Sequence, residues 1–313
     1  MAPRMSSSHN LIQRLWNEDI FVNRRVMWMT ANAKNGFLEA YQEWQNVRLS
    51  NPVNILMLNL MPTKKTTERQ FLKAFNHMKQ DVSLTFAYPA SHSFKNTSAA
   101  LMAKSYTKFS EASKNNYDAL IITGAPIETL TFDQVDYWQE FKQIIAWSHH
   151  HVKQSLFECW AAQAALAVEF NIKKVNLDEK TFGIYSATEI DKESPLVTGI
   201  RKKKELKIPQ SRHTTIEHFS GVKVVASNAE IGPMILHAPQ INQTYLTGHP
   251  EYEADTLEVE YKRDLNKKEQ ILAPKNYFDG DGRIRYTWQN SRQLIYQNWL
   301  NLISKADNTF AKI

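Results

Sequence analysis

Apolar positions along this chain follow two rhythms. Four short strands read at residues 82–87 (VSLTFA), 155–159 (SLFEC), 53–60 (VNILMLNL) and 119–123 (ALIIT), the last two as nearly continuous apolar runs. That is how strands read when both sides of a parallel sheet are covered. Longer segments between them are amphipathic at helical spacing. Phe71, Phe75 and Met78 mark a helix over 66–78, and Trp138, Phe141, Ile144, Ile145 and Trp147 mark one over 133–151. After a loop at 95–98 a third helical stretch runs to about residue 113, and WAAQAALAVEF at 160–170 is a fourth. Strands alternating with helices predict an α/β fold, a mostly parallel sheet with helices on both faces.

Beyond residue 170 the rhythm shortens. Candidate strands at 182–187, 222–226, 233–237 and 243–247 are close enough for hairpins, which predicts an antiparallel extension. Helices are expected at 253–265 and 292–305, and residues around Pro209-Gln210-Ser211-Arg212 read as a loop. The first nine residues look like a tail and 11–48 like an arm packed on the main body. The expected organisation is therefore an arm at 1–48, a single domain at 49–305 and a tail at 306–313.

Composition adds exclusions. With 42% hydrophobic and 22% charged residues the chain has material for a core and is not disordered as a whole. No apolar run approaches the ~18 residues that cross a bilayer, and the start lacks the apolar stretch of a signal peptide. The expectation is a cytoplasmic protein that engages no membrane. The net charge of +6 owes much to Arg201-Lys202-Lys203-Lys204. Such a run usually forms a solvated loop, and without a helix-turn-helix or zinc-finger pattern beside it nucleic acid is not an expected partner. A single cysteine excludes an internal disulfide and a multi-cysteine zinc site, and no metal is expected.

That cysteine, Cys159, lies where an apolar strand ends and a helix begins. Functional side chains collect at the carboxyl edge of such sheets, and the positive end of a helix favours thiolate. Strand-end packing against Ala161 and Ala162 is the plain alternative. A thiol nucleophile needs a base. His249, in Thr247-Gly248-His249-Pro250-Glu251, follows an apparent strand, with Glu251 two residues on to fix its tautomer. A turn histidine followed by a helix-capping glutamate fits the spacing equally well. Glu260 and Arg263 share a helix face, and the guanidinium fork suits a carboxylate, although a surface ion pair has the same spacing.

Several segments resemble the homoserine O-acyltransferase family of methionine biosynthesis, whose fold is flavodoxin-like and related to class I glutamine amidotransferases. They are NLMPTKKTTERQF (59–71), KNTS (95–98), ITGAPIE (122–128), FDQVDYW (132–138), LFECWAAQAAL (156–166), PQSRHT (209–214), LTGHPEYEADTL (246–257), Arg263-Asp264, NYF (276–278) and NWLN (298–301), in family order. The resemblance implies an enzyme in which Cys159 attacks an acyl-coenzyme A, His249 is the general base and Glu251 orients it. Arg263 then holds the acceptor carboxylate with Glu260 beside it. Lys180 and Ser211 match further pocket positions, and the backbone N–H groups of Trp160 and Lys64 match oxyanion donors. Glu128 stands where glycine goes with succinyl transfer and glutamate with acetyl transfer. Glutamate adds bulk and like charge where a succinyl carboxylate must lie.

The resulting expectation is an O-acetyltransferase using acetyl-CoA as co-substrate, with no bound cofactor, L-homoserine as acceptor and a homodimeric assembly. Two departures leave L-serine, and so cysteine synthesis, as the alternative acceptor. Pro-Gln-Ser-Arg (209–212) replaces Pro-His-Ser-Arg, and Trp-Gln-Asn-Ser-Arg (288–292) replaces Trp-Arg-Ser-His-Gly. Succinyl transfer, amidotransferase-like hydrolysis and a non-catalytic binding role are the remaining readings.

Overall fold

All four short strands enter one sheet. The computed structural model describes residues 30–94, 97–200, 205–217, 220–268 and 270–310. The basic run 201–204, the first two residues of the KNTS segment and most of the expected N-terminal arm lie outside the described residues. Twelve strands are formed among them: β1 (Ala31–Ala33), β2 (Val53–Leu58), β3 (Val82–Tyr88), β4 (Thr107–Lys108), β5 (Ala119–Ile122), β6 (Gln154–Glu158), β7 (Lys173–Ser186), β8 (Glu189–Ile190), β9 (Lys207–Glu217), β10 (Lys223–Asn228), β11 (Gly232–Ala238) and β12 (Gln243–Leu246). The helices are α1 (Phe37–Ala40), α2 (Lys64–Phe75), α3 (Ala99–Ser105), α4 (Phe109–Ala112), α5 (Trp138–His151), α6 (Trp160–Phe170), α7 (Thr256–Asn266) and α8 (Gln289–Phe310).

The main sheet has the order β1-β3-β2-β5-β6-β12-β11-β10-β8, with β4 on β3. Its first half is parallel through β12, and β11, β10 and β8 add the antiparallel extension. Alternation along β2 explains both cores. Ile55 and Met57 pack with Phe71, Phe75, Tyr296 and Trp299 of α2 and α8, whereas Leu56 and Leu58 pack with Phe141, Trp160 and Leu166 of α5 and α6. A strand buried on both faces has no room for a polar side, so its run is unbroken.

Four segments differ from the sequence reading. Residues 207–217, expected as a loop around Ser211 and Arg212, form β9, which pairs antiparallel with β7 in a separate two-stranded sheet. The expected strand at 182–187 is the end of the longer β7. Within the segment read as an arm, β1 joins the main sheet as an edge strand parallel to β3. Helix α8 runs on through 306–310. The α6 boundaries agree with the sequence, and its stop comes from Asn171, whose left-handed φ of 55° ends the helix without glycine.

No helix among the described residues is long and apolar enough to cross a membrane.

Candidate active site

Parallel strands send their following loops to one edge, and here four of those loops meet. A cavity of about 490 Å3 is lined by Met61, Pro62 and Thr63 after β2, by Ala125, Pro126 and Glu128 after β5, by Cys159 after β6 and by His249 after β12. The chain departs from β2 to β3 on one side and later to β5 on the other. Such a reversal opens the crevice in which open α/β sheets bind ligands.

Cys159 occupies the turn from β6 into α6 with φ 49° and ψ −115°, a backbone that non-glycine residues rarely adopt. The turn is held by a hydrogen bond from the Cys159 N–H to the Leu246 carbonyl at 2.7 Å. This strained strand-to-helix corner lifts the side chain above the sheet edge and leaves the first N–H groups of α6, that of Trp160 among them, without helical partners. The thiol is 5% exposed and faces the cavity.

The base is brought to it by β12, the neighbour of β6. His249 is anchored by its N–H to the Pro209 carbonyl at 2.9 Å, and its Nδ1 lies 2.8 Å from Glu251 Oε1. Tyr252 stacks on the imidazole with ring centres 4.3 Å apart. Gly124 closes the other side. A Cβ there would stand 3.0 Å from His249 Cε1 and 3.1 Å from Cys159 Cβ. Gly248 is required for a different contact, since a Cβ would meet the Pro209 carbonyl at 2.3 Å. Burial alone would depress the imidazole. The charges of Glu251 and Cys159 and hydrogen bonds to both outweigh it and hold His249 well above its usual range. The arrangement therefore supports an imidazolium, with Glu251 fixing Nδ1–H and leaving Nε2 for proton transfer.

The opposite wall is built by β7, β9 and α7. Alternation along β9 turns Ser211 and His213 to the cavity and buries Gln210, Arg212 and Thr214. Ser211 Oγ donates to Glu260 Oε2 at 2.6 Å, and the Tyr252 hydroxyl donates to Glu260 Oε1 at 2.7 Å. Lys180 Nζ and Arg263 Nε converge on Asp264, at 2.9 and 2.6 Å. The guanidinium is thus aimed by Asp264 through Nε, and its terminal nitrogens can still form a fork for a carboxylate.

Arg212 has a structural task instead. Its three nitrogens donate to Gln210 Oε1, Thr214 O and Ile231 O, and burial pulls the group down to about 10.

Glu128 lines the same cavity. Lys64 begins α2, so its N–H belongs to the unpaired first turn, and the residue lines a neighbouring cavity rather than the one that holds Cys159. Its ammonium is buried and donates to the Asn59 carbonyl at 2.7 Å, and burial lowers it to about 8.

Sequence reasoning placed Gly124 in a site loop but missed Tyr252 and Asp264 as parts of the site. Tyr252 and Asp264 adjoin named residues within quoted motifs, so proximity along the chain was the signal available. The two departures from the family pattern fall behind the cavity wall. Gln210 packs against Gly248 and accepts from Arg212, while Arg292 Nη1 pairs with Glu253 at 2.7 Å.

The chain resembles known proteins over most of its length. Residues 19–309 match the family described as homoserine O-succinyltransferase. A homoserine O-acetyltransferase of Lactococcus lactis subsp. cremoris is 39% identical over 265 residues, covering 82% of each chain. One from Bacillus licheniformis is 40% identical over 258 residues, covering 80% of this chain and 85% of the relative. One from Clostridium acetobutylicum is 37% identical over 293 residues, covering 90% and 95%. Among solved structures, a glutamine amidotransferase from Thermotoga maritima superposes with a TM-score of 0.53 at 11% identity, covering 82% of this chain and 98% of its own. A glutamine amidotransferase from Methylobacillus flagellatus gives 0.54 at 11%, covering 80% and 94%. At that identity the likeness shows the fold alone. The family match over residues 19–309 and relatives 37–40% identical over most of the chain make it a member of the homoserine O-succinyltransferase family of acyltransferases.

Proposed function

We propose that the protein is an acetyl-CoA-dependent O-acetyltransferase acting on the side-chain hydroxyl of L-homoserine through an acetyl-cysteine enzyme. One observation carries this reading. A thiol and a carboxylate-oriented imidazole share a cavity with an aimed guanidinium and a second carboxylate, Glu260. Cys159 Sγ attacks the thioester carbonyl, and N–H groups of Trp160 and Lys64 meet the oxyanion. The carbon–sulfur bond to coenzyme A breaks, and the departing sulfur takes the proton of His249. Neutral His249 then accepts the hydroxyl proton of homoserine as its oxygen attacks the acetyl-cysteine, which yields the ester and restores the thiolate. Arg263 holds the acceptor carboxylate, with Glu260, Lys180 and Ser211 around the rest of the amino acid.

Glu128 supports acetyl over succinyl transfer, because a succinyl carboxylate would lie against it. A second cavity of about 450 Å3 shares Pro62, Ala125 and Pro126 with the first and offers room for the coenzyme arm. Family resemblance makes a homodimer the expected assembly. Homoserine is favoured over serine because Gln210 and Arg292, the departures that raise serine, do not line the cavity.

The test is acetyl transfer to L-homoserine and L-serine in parallel, together with mass spectrometry after mixing with acetyl-CoA alone. An acetyl adduct on Cys159, absent from Cys159→Ala, and a higher kcat/KM for homoserine are expected. Faster turnover of succinyl-CoA than of acetyl-CoA, or of serine than of homoserine, would overturn the corresponding assignment.

A further inference from the structure

Behind the Cys159–His249–Glu251 line lies a carboxyl group that the reaction above does not use. Glu158 ends β6 and is completely buried. Its Oε1 accepts from the Tyr296 hydroxyl of α8 at 2.7 Å. Its Oε2 is buried with no partner, and the same is true of Glu251 Oε2. Oxygens of the two carboxyls and a ring nitrogen of His249 all lie within 4.8 Å of one another.

Two ionised carboxylates in that place would offer only acceptors to each other. Both lone oxygens would lack a protein donor, and two like charges would face one another in a buried place. Neighbouring groups give little relief. His249 is engaged with Glu251 and Cys159, Arg292 of α8 is paired with Glu253, and Tyr296 already donates its one proton. A single proton between the two carboxyls meets both oxygens and removes one charge. Burial first and repulsion from Glu251 second hold the Glu158 carboxyl well above its ordinary range, and the Tyr296 bond and the charge of His249 oppose them only in part.

We propose that Glu158 is a positioning residue that stays protonated and donates a hydrogen bond to Glu251 Oε2. Glu251 then keeps its charge and presents Oε1 to His249. The proposal rests on the acyl-transfer reading for its kinetic consequence but not for the proton itself. Tyr296 fixes the acid from the far side, so orientation is passed from α8 through Glu158 and Glu251 to the base.

The decisive pair is Glu158→Gln and Glu158→Val. The amide can accept from Tyr296 and donate to Glu251, so Glu158→Gln is expected to retain kcat within about threefold. The apolar variant supplies no donor and is expected to lose roughly 10–100-fold in kcat, with KM for the amino acid unchanged. Equal losses in both variants would mean that an ionised Glu158 is needed, and full activity in both would mean no positioning role. Either result overturns the proposal. Infrared difference spectroscopy of wild type minus Glu158→Gln reads the proton directly. A protonated-carboxyl C=O band is expected near neutral pH, and its absence refutes the proposal even if no variant turns over. Stoichiometric metal that only a chelator removes would also refute it, since a cation could meet the same oxygens. Failure of wild type to form an adduct on Cys159 would instead count against the acyl-transfer reading.

Discussion

Cys159 holds a backbone conformation that costs on the order of 1–3 kcal/mol, and the surrounding contacts must over-determine it. Its strand-end place was legible because a strand, one residue and a helix follow one another without a break. His249 and Glu251 were legible for the same reason at β12. Glu158 was not, because one glutamate within SLFEC does not disturb an apolar run, and its partner Tyr296 lies 138 positions away. Its electrostatic weight is considerable. Two full charges within 4.8 Å would repel by about 3.5 kcal/mol or more at an effective dielectric of 20. Gly124 tests how finely the nucleophile and base are spaced. Gly124→Ala adds a methyl 3.0 Å from the imidazole and 3.1 Å from the Cys159 Cβ, closer than ordinary van der Waals contact. The two reacting groups must give way by tenths of an ångström. A fall in kcat of roughly 10–100-fold is expected, since misplacement by ~1 Å can cost 10²-fold. Thermal melting should shift little, and unchanged kcat would show that the dyad tolerates the crowding.

At the scale of elements, the parallel half of the sheet was readable and the β7–β9 pair was not. A strand buried on both faces announces itself by an unbroken apolar run. β9 carries Gln210, Arg212 and Thr214 on its buried face, so its inward side is polar, with Thr214 bonded to Gln163 and Arg212 to the Ile231 carbonyl. Proline and charge at 209–212 therefore looked like loop chemistry. The β7–β9 pair matters because Lys180 and Ser211 reach the cavity from it, and Asp264 of α7 bonds Lys180. Burial would raise the Asp264 carboxyl, but hydrogen bonds from Arg263 and Lys180 outweigh this and hold it below its ordinary 3.8. A depressed carboxyl stabilises the fold in full above that value and loses its contribution as pH falls through the lowered one. Asp264→Ala should therefore cost roughly 2–4 kcal/mol at neutral pH and nearly nothing in strong acid. Without its aim Arg263 should bind the acceptor poorly, with KM for the amino acid raised at least about tenfold and kcat changed less. Acid titration of wild type and variant by circular dichroism, together with steady-state kinetics, checks both parts. A stability gap that persists unchanged below the lowered range would contradict the linkage.

Across the whole molecule, the edge of the sheet and the rim of the cavity are joined by a buried polar line. Glu68 of α2 accepts from the Phe37 and Leu38 N–H groups at 2.9 and 2.8 Å and from the Tyr106 hydroxyl at 2.7 Å. Tyr106 in turn accepts from Asn59 at 2.9 Å, and the Asn59 carbonyl receives Lys64 Nζ. The segment carrying β1 and α1 is thereby fastened to the loop after β2 that lines the active cavity. Little in the sequence marks this, because Glu68 sits mid-helix among other polar residues and its donors come from 30 and 38 positions away. Burial pushes the Glu68 carboxyl up, and its three donors only partly offset that. Removing it leaves those donors unmet inside the protein, at ~1–3 kcal/mol each before relaxation. Glu68→Ala should lower stability by about 3 kcal/mol or more and Tm by roughly 5–10 °C. Glu68→Gln keeps one acceptor oxygen and adds no buried charge, so it should fall between wild type and alanine. The loss should be local as well as global, with amides of residues 31–40 exchanging faster than those of β5 and β6. Uniform acceleration across the sheet would mean that β1 and α1 belong to the same cooperative unit as the catalytic strands. Faster exchange confined to 31–40, with turnover retained, would mean that the edge segment can open while the catalytic strand ends stay assembled.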